Sequence, residues 1–136
     1  MLYLDSSAAV KRYVAETGTA LVQAAIQQDP FVATVIITRV EVHAALAAAA
    51  RAGRVLNLPA LVATFRRDWS NHLVISIDNA LVDHASDLAE RHALRGYDAV
   101  QLAAALAASQ AAGALRFGTF DLALRRAALA EGLSLL

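Results

Sequence analysis

Leu2-Tyr3-Leu4-Asp5-Ser6-Ser7 opens the chain with an apolar run too short for a helix, closed by a carboxylate and two hydroxyls. Near the other end Gly118-Thr119-Phe120-Asp121 repeats the device after the apolar run Leu115 to Thr119. Three more runs, Phe31 to Ile36, Leu73 to Ile77 and Leu133 to Leu135, have the length and content of buried strands. The stretches between them are longer, rich in Ala and Leu, and helically spaced. After Asn79, for instance, Leu81, Val82, Ala85, Leu88, Ala89 and His92 share one face, with Asp83, Asp87, Glu90 and Arg91 mainly opposite. Asp29-Pro30, Gly53 and Gly113 stand where helices should stop, and Gly132 separates the last helix from the last strand. Strand alternating with helix requires crossover connections, so the expected fold is α/β, a mostly parallel sheet covered on both sides.

Length and composition agree. The 136 residues favour a single domain over 1–136. Twelve basic residues balance twelve acidic ones, which excludes a binder relying on bulk positive charge. The hydrophobic share is 58% and the charged share 18%, far from disordered composition and apolar enough to predict a protein partner or oligomer. The absence of cysteine excludes disulfides, thiolate metal sites and cysteine nucleophiles. Ala99 to Leu115 is uncharged, yet it is mostly alanine, interrupted by Gln101, Ser109, Gln110 and Gly113. A membrane span needs about 20 strongly apolar residues, so a buried helix is expected. The start has no basic segment and carries Asp5 where a signal peptide would be apolar; a cytoplasmic location is the expectation.

In open parallel sheets ligands bind beyond the carboxyl ends of the strands. Asp5 and Asp121 directly follow strands, Glu41 falls in the first turns of the helix after the second strand, and Asp98 opens the helix from Tyr97 toward Ala112. All four should reach one edge of the sheet. Singly, Asp5, Asp98 and Asp121 also read as helix caps, and Glu41 has Arg39 and His43 as possible partners. Together, converging carboxylates repel unless a cation or protons join them. Hard oxygen donors without Cys or a His cluster suit Mg²⁺ or Mn²⁺ better than Zn²⁺. Such an ion can activate water and stabilise charge on a phosphodiester. Thr119 and Ser6 are hydroxyls placed to orient a carboxylate or that water.

Asp5-Ser6-Ser7-Ala8-Ala9-Val10-Lys11, with Tyr13 and Glu16-Thr17-Gly18, resembles the opening of PIN-domain proteins of the VapC toxin type. Thr38-Arg39-Val40-Glu41-Val42, Tyr97-Asp98-Ala99-Val100-Gln101-Leu102-Ala103 and Thr119-Phe120-Asp121 resemble that family's following blocks, in order and over essentially the whole chain. The resemblance implies a five-stranded parallel sheet with helices on both faces. It also implies a Mg²⁺- or Mn²⁺-dependent endoribonuclease, usually homodimeric and silenced by a cognate antitoxin. By motif position Asp5, Glu41, Asp98 and Asp121 are the site acids, Asp5 and Asp98 hold the main ion, and Ser6 and Thr119 support them. Val35 departs from the pattern, standing where relatives often carry a small hydroxyl residue.

Setting aside the four site acids leaves eight acids against twelve basic residues, eleven of them Arg, whose planar fork suits phosphate. Lys11 and Arg12 lead as RNA contacts, followed by Arg39, Arg95 and Arg116. His43, His72, His84 and His92 have no metal-ligand spacing, and His92 reads as packed and hydrogen-bonded. Trp69 with Phe65-Arg66-Arg67 reads either as a nucleic-acid surface or, preferred here, as a helix edge buried in a dimer. There is no Gly-rich phosphate loop and no nucleophile elbow. Ser7 stands where a phosphatase would carry its second Asp. A nuclease acting on DNA or in RNA processing, and a non-catalytic binding module whose acids are only caps, are the alternatives.

Overall fold

The computed structural model describes residues 1–29 and 31–136. Five strands, β1 (Leu2–Leu4), β2 (Val32–Val35), β3 (Leu73–Ile75), β4 (Arg116–Gly118) and β5 (Ser134–Leu135), form one parallel sheet in the order β3-β2-β1-β4-β5. Each expected strand is present; the last four are shorter than their apolar runs, because the flanking residues turn into connections. Seven helices connect them: α1 (Ser6–Ala9), α2 (Thr19–Gln28), α3 (Thr38–Arg51), α4 (Leu58–Trp69), α5 (Asn79–His92), α6 (Gly96–Ala112) and α7 (Leu122–Ala130), with a 3₁₀ turn at Val10–Arg12. Among the described residues no helix is long and apolar enough to cross a membrane.

The two-residue period of a strand sorts the core. Leu2 and Leu4 point to one face, with Val22, Val32, Val42, Leu46 and Phe65. Tyr3 points to the other, with Val35, Leu88, Leu102, Phe117 and Leu124. Ala99, Ala103, Ala104, Ala105 and Ala108 are buried, so the alanine richness of α6 serves close packing rather than membrane insertion. Gly113 and Gly132 have positive φ at the ends of α6 and α7, and Gly53 does so after α3. Asp29 ends α2 as expected; Pro30 lies outside the described residues.

The aromatic segment of α4 differs from expectation. Phe65 is buried by its own chain, edge-on to Tyr13, His43 and Trp69. It is a core residue beneath the Leu2 face and not a dimer contact; Arg66 and Arg67 are exposed.

Strand order places β1 between β2 and β4, and successive connections leave in opposite directions from the β1/β4 pair. That is the switch point where the carboxyl edge opens. The Thr119–Asp121 turn beyond β4 is wedged by Phe120, whose ring lies against Gly18 and beneath the Lys11 ammonium, 4.4 Å from its centroid. Gly18 has φ 95°, and a β-carbon there would overlap the Phe120 ring. Gly18→Ala therefore meets both backbone strain and a clash, and should cost about 2 kcal/mol in urea denaturation. An unchanged midpoint would show that Phe120 has other room.

Candidate active site

Asp5 lies 4% exposed at the end of β1. Its Oδ1 accepts the Ala8 amide at 2.8 Å and its Oδ2 accepts the Thr119 hydroxyl at 2.6 Å, while Ser7 Oγ donates to the carboxylate at 2.8 and 3.0 Å. Ser7 in turn accepts the Phe120 amide at 2.8 Å, tying the β1 and β4 ends together. Asp121 likewise caps its helix, accepting the Leu124 amide at 2.9 Å. The cap reading thus holds for both Asp5 and Asp121. Each also engages its second oxygen, Asp5 with Thr119 and Asp121 with Arg95.

Asp98 is no cap; it sits in the first turn of α6, after Arg95 at the N-cap position. Glu41 projects from the first turn of α3. Its partners are Ser6 Oγ, which donates to Oε2, and Gln101 Nε2 at 3.3 Å, rather than Arg39 or His43. The four acids come from four separate elements and line one cleft of about 300 Å³, together with Ser6, Ser7, Arg95, Tyr97 and Gln101.

The electrostatics of this cleft are unfavourable to full ionisation. Burial pushes the Asp5 carboxyl up to about 6 against its three hydrogen bonds, and Asp98 adds to the rise. Asp98 is raised by burial and by Asp121, with Arg95 opposing. The Arg95 guanidinium reaches Asp98 at 3.2 Å through Nε and Asp121 at 3.3 Å through Nη2, although its side chain is 84% exposed. A cation is called for here, and Arg95 supplies one.

A family model described as PIN domain matches residues 2–130. The chain belongs to the PIN-domain family. It is 38% identical over 111 residues to Ribonuclease VapC45 and to Ribonuclease VapC49, both from Mycobacterium tuberculosis, covering 79% of this chain and 76% of each relative. Its fold is also that of a toxin–antitoxin complex chain from Klebsiella pneumoniae, with a TM-score of 0.64 and 19% identity over 89% of this chain and 87% of that one.

VapC ribonucleases of this family are generally metal-dependent. Among the described residues no three Asp, Glu or His side chains converge closely enough to hold an ion alone. The donor set nevertheless fits one. Its ligating atoms are hard carboxylate oxygens, Asp5 is buried against its own charge, and an arginine already bridges two of the acids. Mg²⁺ is commonly held by one or two carboxylates with water and phosphate completing its shell.

The PIN-domain fold places the expected cations unevenly. Lys11 pairs with Glu16 at 2.8 Å, and Arg12 Nε with Asp68 at 2.8 Å. Arg116 opens β4 at the opposite edge of the sheet, where it contacts Gln28, because parallel strands put first residues far from last ones. Arg39 is exposed on α3. His92 is half-buried and bonded to Glu131 Oε1 at 2.6 Å, as its apolar face implied.

Three contributors escaped the sequence reading: Ser7 as a ligand of Asp5, Arg95 as a bridge between acids, and Gln101. Gln101 did carry a signal. It is the polar residue one turn after Asp98 in an otherwise apolar helix, on the same face by the i,i+3 rule. Beside Val35, the buried Thr34 hydroxyl donates to Thr38 Oγ1 at 2.8 Å.

Since Asp5 is raised from 3.8 to about 6, folding favours its protonated form when no metal is present. That contribution is complete below about pH 4 and is lost as pH rises through about 6, at most about 3 kcal/mol in all. In metal-free wild-type protein the urea midpoint should fall between pH 4 and 7 relative to Asp5→Asn, and saturating Mn²⁺ should flatten the difference. Parallel pH profiles of the two proteins would show that Asp5 does not titrate in that window.

Proposed function

We propose that this PIN-domain endoribonuclease of the toxin type cleaves RNA in the acidic cleft, with Mg²⁺ or Mn²⁺ held by Asp5 and Asp98. The observation that carries this reading is that four acids from four elements line one cleft, one of them, Asp5, a buried carboxylate with a raised pKa. When bound, the ion supplies an activated water and stabilises charge on the phosphodiester during in-line displacement.

The chain's own groups do the rest. Thr119 and Ser7 fix the plane of the Asp5 carboxylate at the cleft wall, so it is presented without a search over rotamers. Glu41 and Asp121 extend the acidic wall and would complete the ion's shell or hold a second ion. Arg95 is bound to the acids only by a surface-type pairing, worth about 0–1 kcal/mol. It is free to move to a substrate phosphate when a divalent ion takes its place. Lys11 and Arg12 flank the Asp5 helix as further phosphate contacts. Arg12 commits Nε to Asp68 and keeps its terminal nitrogens for a bidentate contact.

A cognate antitoxin and a second copy of the chain are the partners in this reading, in a cytoplasmic setting. Exposed apolar side chains support a protein partner: Val82 and Tyr97 beside the cleft, and Ile36 and Val40 over α3.

The test is cleavage of RNA and of matched DNA with Mg²⁺ or Mn²⁺, with EDTA, and after Asp5→Asn or Asp98→Asn. RNA should be cut and DNA spared, and each substitution or chelation should lower the rate by at least about 100-fold. Activity that survives both chelation and Asp5→Asn would overturn the mechanism; equal cutting of DNA would overturn the substrate.

A further inference from the structure

Gln101 is 3% exposed on α6, among Ala99, Leu102 and Ala103. Nothing about the helix requires a polar residue there, since its neighbours pack as small apolar side chains. Its amide is nonetheless fully engaged. Oε1 accepts the Tyr3 hydroxyl at 3.0 Å. Nε2 points toward Thr38 Oγ1 at 2.9 Å, Ser6 Oγ at 3.0 Å and Glu41 Oε2 at 3.3 Å. One side chain therefore joins β1, α1, α3 and α6 at the cleft wall.

The orientation of that amide is set by chemistry. Tyr3 is completely buried, and its phenol O–H donates to Gln101 Oε1. A donated O–H fixes Oε1 on the Tyr3 side and turns the N–H₂ toward the oxygens of Ser6, Thr38 and Glu41. Ser6 receives from Gln101 and donates to Glu41, giving the carboxylate a direct donor and a relayed one, both on Oε2. Glu41 is thereby pinned by one oxygen, and the other is not used by either contact.

We infer that Gln101 is a positioning residue, oriented by Tyr3, that holds the Glu41 carboxylate and the Ser6 hydroxyl in their cleft-facing geometry; this rests on the ribonuclease reading above. A purely structural linker would be expected to affect folding and activity independently of Glu41. A positioning residue acts only through it.

The experiment uses the full chain and two readouts. The first needs no catalysis: by NMR of the metal-free protein, the Gln101 side-chain amide protons should exchange with solvent at least about tenfold more slowly than those of exposed Gln27, and Tyr3→Phe should erase most of that protection. The second is a double-mutant cycle with Mn²⁺ and RNA. Gln101→Met keeps length and volume but has no N–H, and should lower kcat about 10- to 100-fold with KM within about twofold. In a Glu41→Gln background the same change should cost nothing further. Should Gln101→Met fail to fold, Tyr3→Phe takes its place in the cycle, with a several-fold loss that also vanishes beside Glu41→Gln. Exchange as fast as that of Gln27, an unchanged kcat, or losses that add to those of Glu41→Gln would each overturn the inference. If wild-type protein cuts no RNA, the ribonuclease reading fails while the exchange measurement still decides whether Gln101 is held.

Discussion

Asp5 is an almost wholly buried carboxylate, and none of the groups that hydrogen-bond it carries a positive charge. Three hydrogen bonds favour its ionised form, yet burial outweighs them and the Asp98 charge works in the same direction as burial. Such a group is tolerable in two ways: it binds a proton, or a cation comes to it. The surrounding architecture follows from that demand. Ser7 and Thr119 are there because an ionisable group withdrawn from water needs its lone pairs filled, and the cleft remains open on the side where a cation can enter.

The sheet supplies the means of convergence. Consecutive strands run outward from β1 to β2 and β3, and the chain then returns to lay β4 on β1's other side. Residues 5 and 121 become neighbours because their strands pair in parallel, Leu4 opposite Gly118. Gly118 permits that approach, since a β-carbon there would come within 2.8 Å of the Leu4 side chain. Helix starts deliver Glu41 and Asp98 to the same edge. No long-range attraction among the acids gathers them; they are brought together by hydrophobic burial on two sheet faces, at an electrostatic cost that the rest of the fold absorbs.

Most of this was legible in the sequence because its signals are local. Short apolar runs ending in Asp report a strand and its carboxyl end in one stretch, and the amphipathic spacing of residues 79–92 reports a helix and its buried face. What could not be read locally was pairing between distant polar groups. Lys11 and Arg12 read as RNA contacts, and their pairings with Glu16 and Asp68 were not part of that reading; Asp68 is contributed by a helix more than fifty positions away from Arg12. Phe65 beside two arginines read as an edge, because the segments that cover it, near Tyr13 and His43, lie in other elements of the chain. Gln101 read as an interruption of an apolar helix. Its meaning depends on Tyr3, Ser6, Thr38 and Glu41 together, and no periodicity in α6 encodes that company.

The neutral net charge fits this division of labour. A uniformly basic surface would draw RNA from any direction, but it would also fill the cleft with the protein's own arginines. Here the bridging cation is one exposed residue, Arg95, held between the Asp98 and Asp121 carboxylates. Ion pairs this exposed are weak, so Arg95 leaves much of the cleft's acidic character uncompensated. Among the described residues Arg95 is the basic side chain that lines the cleft, and its guanidinium lies at the lip rather than in the interior. The acids are met by charge placed locally, and a general excess of positive charge is not needed.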